Sequence, residues 1–185
     1  TSIHCLSYSI WYVFSKQIPY CQIYMLLKFW FFNFKDLSLN FNKRDMDMNS
    51  KIKFSVFSDY VWPWCYLSTG RIEKLKQNYP IEVDLIHFPL HPETPKSGLT
   101  LKELFSGRNI NIDAMYSRMK GLMDAEGLPY GKRTHTYNSR LAQELGKWAD
   151  EQSKNGQNFG VIHDALYKAY FVDGKNIGDK DVLIQ

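Results

Sequence analysis

The stretch Ser58-Asp59-Tyr60-Val61-Trp62-Pro63-Trp64-Cys65-Tyr66-Leu67 joins two segments with different hydrophobic periods. Before it, apolar and polar residues alternate from Ile52 to Val56, which is typical of a strand with one buried face. After Pro63, apolar residues recur among charged ones as far as Tyr79, which is typical of a helix. Proline is tolerated in the first turn of a helix, because its missing N–H would have no partner there. The sequence therefore predicts a strand that leads directly into a helix carrying Cys65.

A second segment of alternating hydrophobicity, Ile81 to Phe88, follows the predicted helix. A strand, a helix and a second strand so close in sequence predict a βαβ unit with parallel strands. Pro89, Pro92 and Pro95 then interrupt regular structure and predict a loop. The sequence therefore favours the α/β fold class, with Cys65 at the junction between the first strand and its helix.

This junction makes Cys65 the candidate reactive residue. The loops that follow the strands of a parallel sheet are where α/β proteins commonly bind ligands. Free N–H groups and a partial positive charge at a helix N-terminus stabilise a thiolate, and so lower the pKa of a thiol. Cys65 lies about one turn into the predicted helix, where thiols are more buried and less activated. The two effects oppose each other.

Four or five helical segments are predicted after the proline-rich loop, because apolar residues recur there at helical spacing. They begin near Leu101, Ile112, Leu141, Phe159 and Asp179. Gly127 is expected to end the second segment, and Asn138 to be the N-cap of the third. Two parallel strands alone would leave a small sheet with unpaired edges. We therefore expect further strands after Gln185, and interpret the chain as truncated at its C-terminus.

The segment from Ser58 to Leu67 resembles the active-site stretch of the DsbA-like thioredoxin family, in its FrnE-type branch. That family's pattern is Asp, an aromatic residue, an aliphatic residue and then Cys-Pro-Trp-Cys-Tyr. Three downstream segments are also similar to the family: residues 87–92, 138–150 and 165–179. The resemblance covers residues 52–185. It implies a thioredoxin-like fold with an inserted all-helical domain, and places the last strands and the final helix beyond Gln185.

Three regions follow from this resemblance and from a break in composition near residue 46. Residues 48–90 are predicted to be the first part of the thioredoxin-like domain, and residues 91–185 the helical insertion domain. Residues 1–47 form an apolar, aromatic-rich N-terminal segment. We interpret most of it as translated sequence upstream of a start at Met46 or Met48; a membrane-associated segment and an additional packed element are the alternatives. A membrane is therefore an expected partner only if this segment belongs to the natural protein.

Trp62 occupies the position at which the family has its first, nucleophilic cysteine. Only Cys65, at the position of the resolving cysteine, keeps a thiol, and one cysteine cannot hold an intramolecular disulfide. The resemblance therefore implies a thiol–disulfide oxidoreductase that acts as a monothiol through Cys65. The motif residues Trp62, Pro63 and Trp64 are expected to shape the start of its helix. His87, at the end of the second strand, is an auxiliary candidate.

The resemblance implies no tightly bound cofactor, with glutathione as the candidate second sulfur. The expected substrates are protein thiols or a small-molecule thiol, and assembly as a homodimer is left open. The three cysteines, Cys5, Cys21 and Cys65, do not have the spacing of a disulfide framework or a zinc site. This cysteine usage favours a reducing compartment, so a cytoplasmic location is expected.

Two alternatives to a monothiol enzyme remain open. One is a catalytically silent thioredoxin-fold binding protein. The other is a glutathione-dependent isomerase or transferase of the kappa type, whose relatives use a serine near this helix start. Ser58 and Ser68 flank the motif, but neither takes the usual position. Exposure discriminates between the monothiol enzyme and the silent protein, because a reactive thiol must be reachable whereas a silent fold would bury Cys65 beneath Trp62.

Charge and histidine spacing argue against two further classes of function. The net charge is +4, and residues 1–45 contribute +3 of it. The rest of the chain carries +1 and no cluster of basic and aromatic residues, which argues against nucleic acid binding. His87 and His91 flank Phe88-Pro89-Leu90, which cannot be helical, so no metal site is predicted there.

Overall fold

The computed structural model describes residues 52–157 and 159–185. The predicted segment 1–47, with its Cys5 and Cys21, lies outside these residues. Within the described residues, no helix is long and apolar enough to cross a membrane. The proposed boundary between residues 48–90 and 91–185 stays a prediction.

A βαβ unit begins the described part of the chain. Strand β1 (Ile52–Ser58) is followed by helix α1 (Pro63–Asn78) and strand β2 (Ile81–His87). The two strands pair in parallel, with Ile52 opposite Ile81 and Ser58 opposite His87. The predicted βαβ arrangement is therefore confirmed, and the C-terminal ends of both strands meet at the start of α1.

Local sequence explains both ends of α1. Pro63 occupies the first turn, where a residue without an N–H is tolerated, and Trp62 is the N-cap residue. At the other end, Tyr79 is the C-cap, because the following Pro80 disfavours helical geometry at the residue before it. The helix buries Tyr66 and Leu67, which lie next to the motif that carries Cys65.

The remaining elements are mostly helical. They are β3 (Leu99–Thr100), α2 (Leu101–Leu104), α3 (Ile112–Ala125), β4 (His135–Thr136), α4 (Arg140–Lys154), α5 (Val161–Phe171) and α6 (Lys180–Leu183). Strands β3 and β4 pair antiparallel through two residues each. Strands of two residues are too short to leave a periodic pattern in the sequence, so neither is among the predicted elements.

The predicted helix boundaries hold with one correction. Gly127 has φ +74° just after the C-cap of α3, which is the left-handed conformation that glycine favours there. The prediction that Asn138 caps α4 is wrong by one residue, because Ser139 occupies the N-cap position. Asn138 instead accepts a hydrogen bond from Arg140 N at 3.0 Å and donates to Thr94 O at 2.7 Å. It therefore connects the start of α4 to the loop after β2.

An aromatic stack fixes α5 against α1. The ring of Tyr66 contacts the rings of both Tyr167 and Phe171, with centroid distances of 5.2 Å and 5.1 Å, and those two rings lie 6.3 Å from each other. Phe171 is fully buried, as is Met123 of α3. Burying large aromatic rings contributes strongly to stability, and stacking adds about 0.5–1.5 kcal/mol per pair. This packing holds the helical part of the chain against the start of α1.

Candidate functional site

Cys65 lies in the first turn of α1 and is half-buried. Its Sγ accepts a hydrogen bond from the backbone N–H of Asp59 at 3.5 Å. Burial raises the pKa of the thiol to about 12, and the negative charge of Asp59 adds to this effect. Hydrogen bonds from the Asp59 N–H and the Ser58 hydroxyl act in the opposite direction. Of the two opposing expectations for this thiol, burial dominates, so the thiol form prevails at neutral pH.

Asp59 is a buried carboxylate that holds three parts of the chain together. Its Oδ1 accepts hydrogen bonds from Val61 N at 3.2 Å and Gln143 Nε2 at 3.1 Å. Its Oδ2 accepts from Leu90 N at 2.7 Å, and the Ser139 side chain is a further donor. Burial raises the pKa of the carboxyl group, while these hydrogen bonds lower it. Asp59 therefore ties the end of β1 to the loop after β2 and to α4.

A second polar contact lies near the sulfur. The hydroxyl groups of Ser58 and Tyr167 are 2.6 Å apart and buried. Tyr167 is almost completely shielded from solvent, and burial raises its pKa well above the usual range. Both hydroxyl groups therefore stay protonated, and the surface that they present to Cys65 is polar but uncharged.

The motif residues at the start of α1 lie around Cys65 as follows. The backbone forms a tight turn in which Trp62 N donates to Asp59 O at 3.1 Å and Cys65 N donates to Trp62 O at 3.0 Å. The ring of Trp62 is half-buried and lies 6.3 Å from that of His91. Trp64 packs against the core and its carbonyl accepts from Ser68 Oγ at 2.8 Å. The chemical roles of the motif residues and of Cys65 stay predictions.

His87 lies at the end of β2, where it faces α4. Its Nδ1 is 3.2 Å from Gln143 Oε1, and its Nε2 is 2.8 Å from Asp150 Oδ2. The side chain of His87 is only 8% exposed. The structure therefore places the auxiliary candidate in a buried polar network, one glutamine side chain away from Asp59.

A second histidine completes this network. His163 Nε2 is 3.0 Å from Asp150 Oδ1, and its Nδ1 is 2.7 Å from the hydroxyl of Tyr60. The ring of Tyr60 is stacked with both imidazoles, at 6.0 Å from His87 and 6.2 Å from His163. We call Tyr60, His87, Gln143, Asp150 and His163 the histidine cluster. Sequence reasoning missed it, because its members come from four distant segments and share no spacing.

A glycine allows α4 to approach this cluster. A Cβ at Gly146 would clash with the Tyr60 hydroxyl and lie 2.9 Å from His87 Cε1. Only a residue without a side chain fits there. Within residues 52–157 and 159–185, no three His, Cys, Asp or Glu side chains are arranged to hold a metal ion.

Comparison with known protein families shows to which family the chain belongs. The DSBA-like thioredoxin domain matches residues 53–185. The chain belongs to this DsbA-like family. The thioredoxin-like α/β fold predicted from the sequence is thereby confirmed, whereas the FrnE-type branch stays a prediction. No curated protein matches the sequence.

Two solved structures resemble this DsbA-like chain. A probable DsbA oxidoreductase from Streptomyces coelicolor is 25% identical, with a TM-score of 0.59, and the match covers 71% of this chain and 59% of that one. A 2-hydroxychromene-2-carboxylate isomerase is 16% identical, with a TM-score of 0.52, and the match covers 70% of this chain and 61% of the isomerase. The second likeness is one of fold alone. In both cases the chain spans about three fifths of the length of the solved structure.

Proposed function

We propose that this DsbA-like chain takes part in thiol–disulfide exchange as a monothiol, through the sulfur of Cys65. The observation that supports this most is the Asp59 N–H directed at Cys65 Sγ at 3.5 Å in the first turn of α1. A backbone N–H directed at a sulfur stabilises negative charge on it, which the thiolate needs as it forms. Because Trp62 stands at the position of the family's nucleophilic cysteine, the second sulfur must come from outside the chain.

The proposed exchange is balanced with one external disulfide. The Cys65 thiol loses its proton and attacks one sulfur of the disulfide; a new S–S bond forms while the old one breaks. The departing thiolate takes up the proton. Glutathione disulfide or a protein disulfide supplies the second sulfur, and a further external thiol reverses the step. The proposed location of this chemistry is the cytoplasm.

The environment of Cys65 sets the rate that we expect. A pKa of about 12 leaves little thiolate at neutral pH, so the mixed disulfide forms slowly. A thiol with a high pKa is also a poor leaving group, so the mixed disulfide breaks slowly when a thiol attacks its other sulfur. The proposed activity is therefore slow capture of a thiol partner rather than rapid turnover.

The second candidate is a thioredoxin-fold binding protein without thiol chemistry. The raised pKa of Cys65 favours it, because an inert buried thiol has this property. The kappa-type isomerase alternative is weaker. The Ser58 hydroxyl is hydrogen-bonded to Tyr167 at 2.6 Å, and the likeness to the isomerase is one of fold.

The test uses the full chain with Cys5→Ser and Cys21→Ser, so that Cys65 is the remaining thiol. The folded protein is incubated with glutathione disulfide at several pH values, and mixed-disulfide formation is followed by mass spectrometry. We expect one glutathione per chain, at a rate that rises about tenfold per pH unit below pH 12. The same protein with Cys65→Ser is the control and should gain none. If Cys65 forms the mixed disulfide with glutathione only after the chain has been unfolded in urea, the binding candidate replaces the monothiol proposal.

A further inference from the structure

The orientation of one buried amide fixes the direction of hydrogen bonds in the histidine cluster. Gln143 Nε2 donates to Ser58 O at 3.3 Å and to Asp59 Oδ1 at 3.1 Å. A backbone carbonyl can only accept, so the amide nitrogen must face Ser58. The amide oxygen therefore faces His87, and the contact of 3.2 Å requires a proton on His87 Nδ1.

The other ring nitrogen of His87 also needs a proton. Its Nε2 lies 2.8 Å from Asp150 Oδ2, and an ionised carboxylate only accepts. Two features favour the ionised form of Asp150. Its Oδ1 also faces a ring nitrogen of His163, at 3.0 Å, and its side chain is 30% exposed. The contact with His87 is then a charge-assisted hydrogen bond between an imidazolium and a carboxylate.

The rest of the cluster is consistent with one charged histidine. The Tyr60 hydroxyl keeps its proton, since burial raises its pKa, and donates it to His163 Nδ1 at 2.7 Å. His163 then carries its single proton on Nε2 and donates to Asp150. The titratable groups facing His87 are Asp150 from α4, His163 from α5, Tyr60 after β1 and, through the Gln143 amide, Asp59.

We propose that His87 is a positioning residue: as an imidazolium paired with Asp150, it holds Gln143, and Gln143 holds the Ser58–Asp59 segment against the Cys65 sulfur. The donors run in one direction along this path. His87 Nδ1 donates to Gln143, Gln143 Nε2 donates to the segment, and Asp59 N donates to Cys65 Sγ. The path thus joins the ion pair at α4 to the reactive sulfur through three hydrogen bonds.

Loss of one proton from His87 breaks the path at either end. If the remaining proton stays on Nδ1, the Nε2 lone pair faces the carboxylate of Asp150 at 2.8 Å. If it moves to Nε2, Gln143 Oε1 loses its donor. The full path of hydrogen bonds therefore requires both ring protons of His87. The inference rests on the proposed function only in taking Cys65 as the reactive group, and its readouts require no activity.

The test is an NMR titration of the full ¹⁵N-labelled chain, in which the ring nitrogens of His87 and the backbone amide of Asp59 are followed together. We expect the Asp59 amide to shift with the same midpoint as the His87 ring. Asp150→Asn lets the new amide donate to His87 Nε2, so the imidazolium is no longer favoured and the titration curve of the His87 ring should change. An unchanged titration curve in Asp150→Asn overturns the proposal.

Two further variants separate positioning from a general structural effect. Glu144→Gln makes the same change of charge on the exposed side of α4, where Glu144 contacts Arg140, and should leave the His87 midpoint unchanged. Gln143→Met removes the link, so the Asp59 amide should no longer follow His87. An Asp59 amide that still follows His87 in this variant overturns the positioning role. If Gln143→Met does not fold, Asp150→Asn and the wild-type comparison decide the question.

Discussion

The backbone N–H of Asp59 points at the sulfur of Cys65, with the nitrogen 3.5 Å from Sγ. The buried carboxylate of the same residue accepts hydrogen bonds from the nearby Val61 and from two other segments, through Leu90 and Gln143. One residue thus links the thiol to the loop after β2 and to α4. Its negative charge raises the pKa of Cys65 while its N–H lowers it. The reactivity of Cys65 therefore depends on how Asp59 is held.

A cysteine introduced at position 62 should form a disulfide with Cys65. Trp62 is the N-cap of α1 and Cys65 is three residues further on, so the two side chains share one helix end. We expect Trp62→Cys to form an intramolecular disulfide under mild oxidation, because a thiol at a helix N-cap is readily ionised and attacks efficiently. The disulfide is detected by mass spectrometry as a loss of two hydrogens, in a chain in which Cys5 and Cys21 have been replaced.

The matched control for this substitution is Trp62→Ser, which removes the same indole without adding a thiol. It should show no mass change on oxidation. If Trp62→Cys also stays reduced while both thiols react with an alkylating reagent after unfolding, the geometry of the motif does not support the family's chemistry, and the binding candidate gains weight.

Gly146 should not tolerate a side chain. A methyl group there would overlap the Tyr60 hydroxyl and come within 2.9 Å of His87 Cε1. Overpacking of this kind costs about 1–3 kcal/mol, which exceeds the gain of about 1 kcal/mol from replacing a helical glycine. We therefore expect Gly146→Ala to lower the free energy of unfolding, as measured by urea denaturation.

Gly121 in α3 supplies the matched comparison, since a methyl group there would meet open space. Apart from Gly121 itself, its two neighbours in sequence and the nearby backbone of α3, no atom of the described residues lies within 4 Å of the place that its carbon would take. Gly121→Ala should raise the free energy of unfolding by up to about 1 kcal/mol. Equal effects of the two substitutions would contradict close contact between α4 and the histidine cluster.

The sequence predicted the elements that depend on local periodicity. Strand β1, helix α1 and strand β2 each repeat their pattern over several residues, and Gly127 marks the end of α3 by its backbone freedom. Two-residue strands such as β3 carry no such pattern. The position of Cys65 at the junction was also predictable, because it follows from the order of the elements.

The environment of Cys65 was not predictable, because it depends on contacts between distant residues. Cys65 packs against a buried cluster that includes Tyr167 of α5, whose hydroxyl contacts that of Ser58. His87 was a candidate from its place at the end of β2, but nothing in the sequence indicated Asp150 as its partner. Asp59 is part of the motif, but the sequence did not indicate which distant residues would donate hydrogen bonds to its carboxylate.

Asp59 should contribute more to the free energy of unfolding at acid pH than at neutral pH. Burial raises the pKa of this carboxyl group above its unfolded value of 3.8, so the folded protein binds its proton more readily than the unfolded chain does. Its contribution to the free energy of unfolding is therefore largest below pH 3.8 and falls as pH rises through the folded pKa. Urea denaturation at several acid pH values measures this slope.

Asp59→Asn provides the reference for that slope, because it cannot titrate. The difference in unfolding free energy between the wild type and this variant should shrink as pH rises through the window. A difference that stays constant, or grows with pH, would mean that the hydrogen bonds to the carboxylate outweigh its burial.

The hydroxyl pair beside Cys65 should behave as one coupled unit. Ser58 Oγ and Tyr167 OH are 2.6 Å apart and buried. Ser58→Ala leaves the buried Tyr167 hydroxyl without this partner and should cost about 1–3 kcal/mol, whereas Tyr167→Phe leaves Ser58 its contact with Cys65 and should cost about 0.5–1.5 kcal/mol. The double variant leaves neither group unsatisfied, and its cost should be smaller than the sum by about 0.5–3 kcal/mol. Urea denaturation of the four proteins measures this coupling, and simple additivity would show that the two hydroxyl groups act independently.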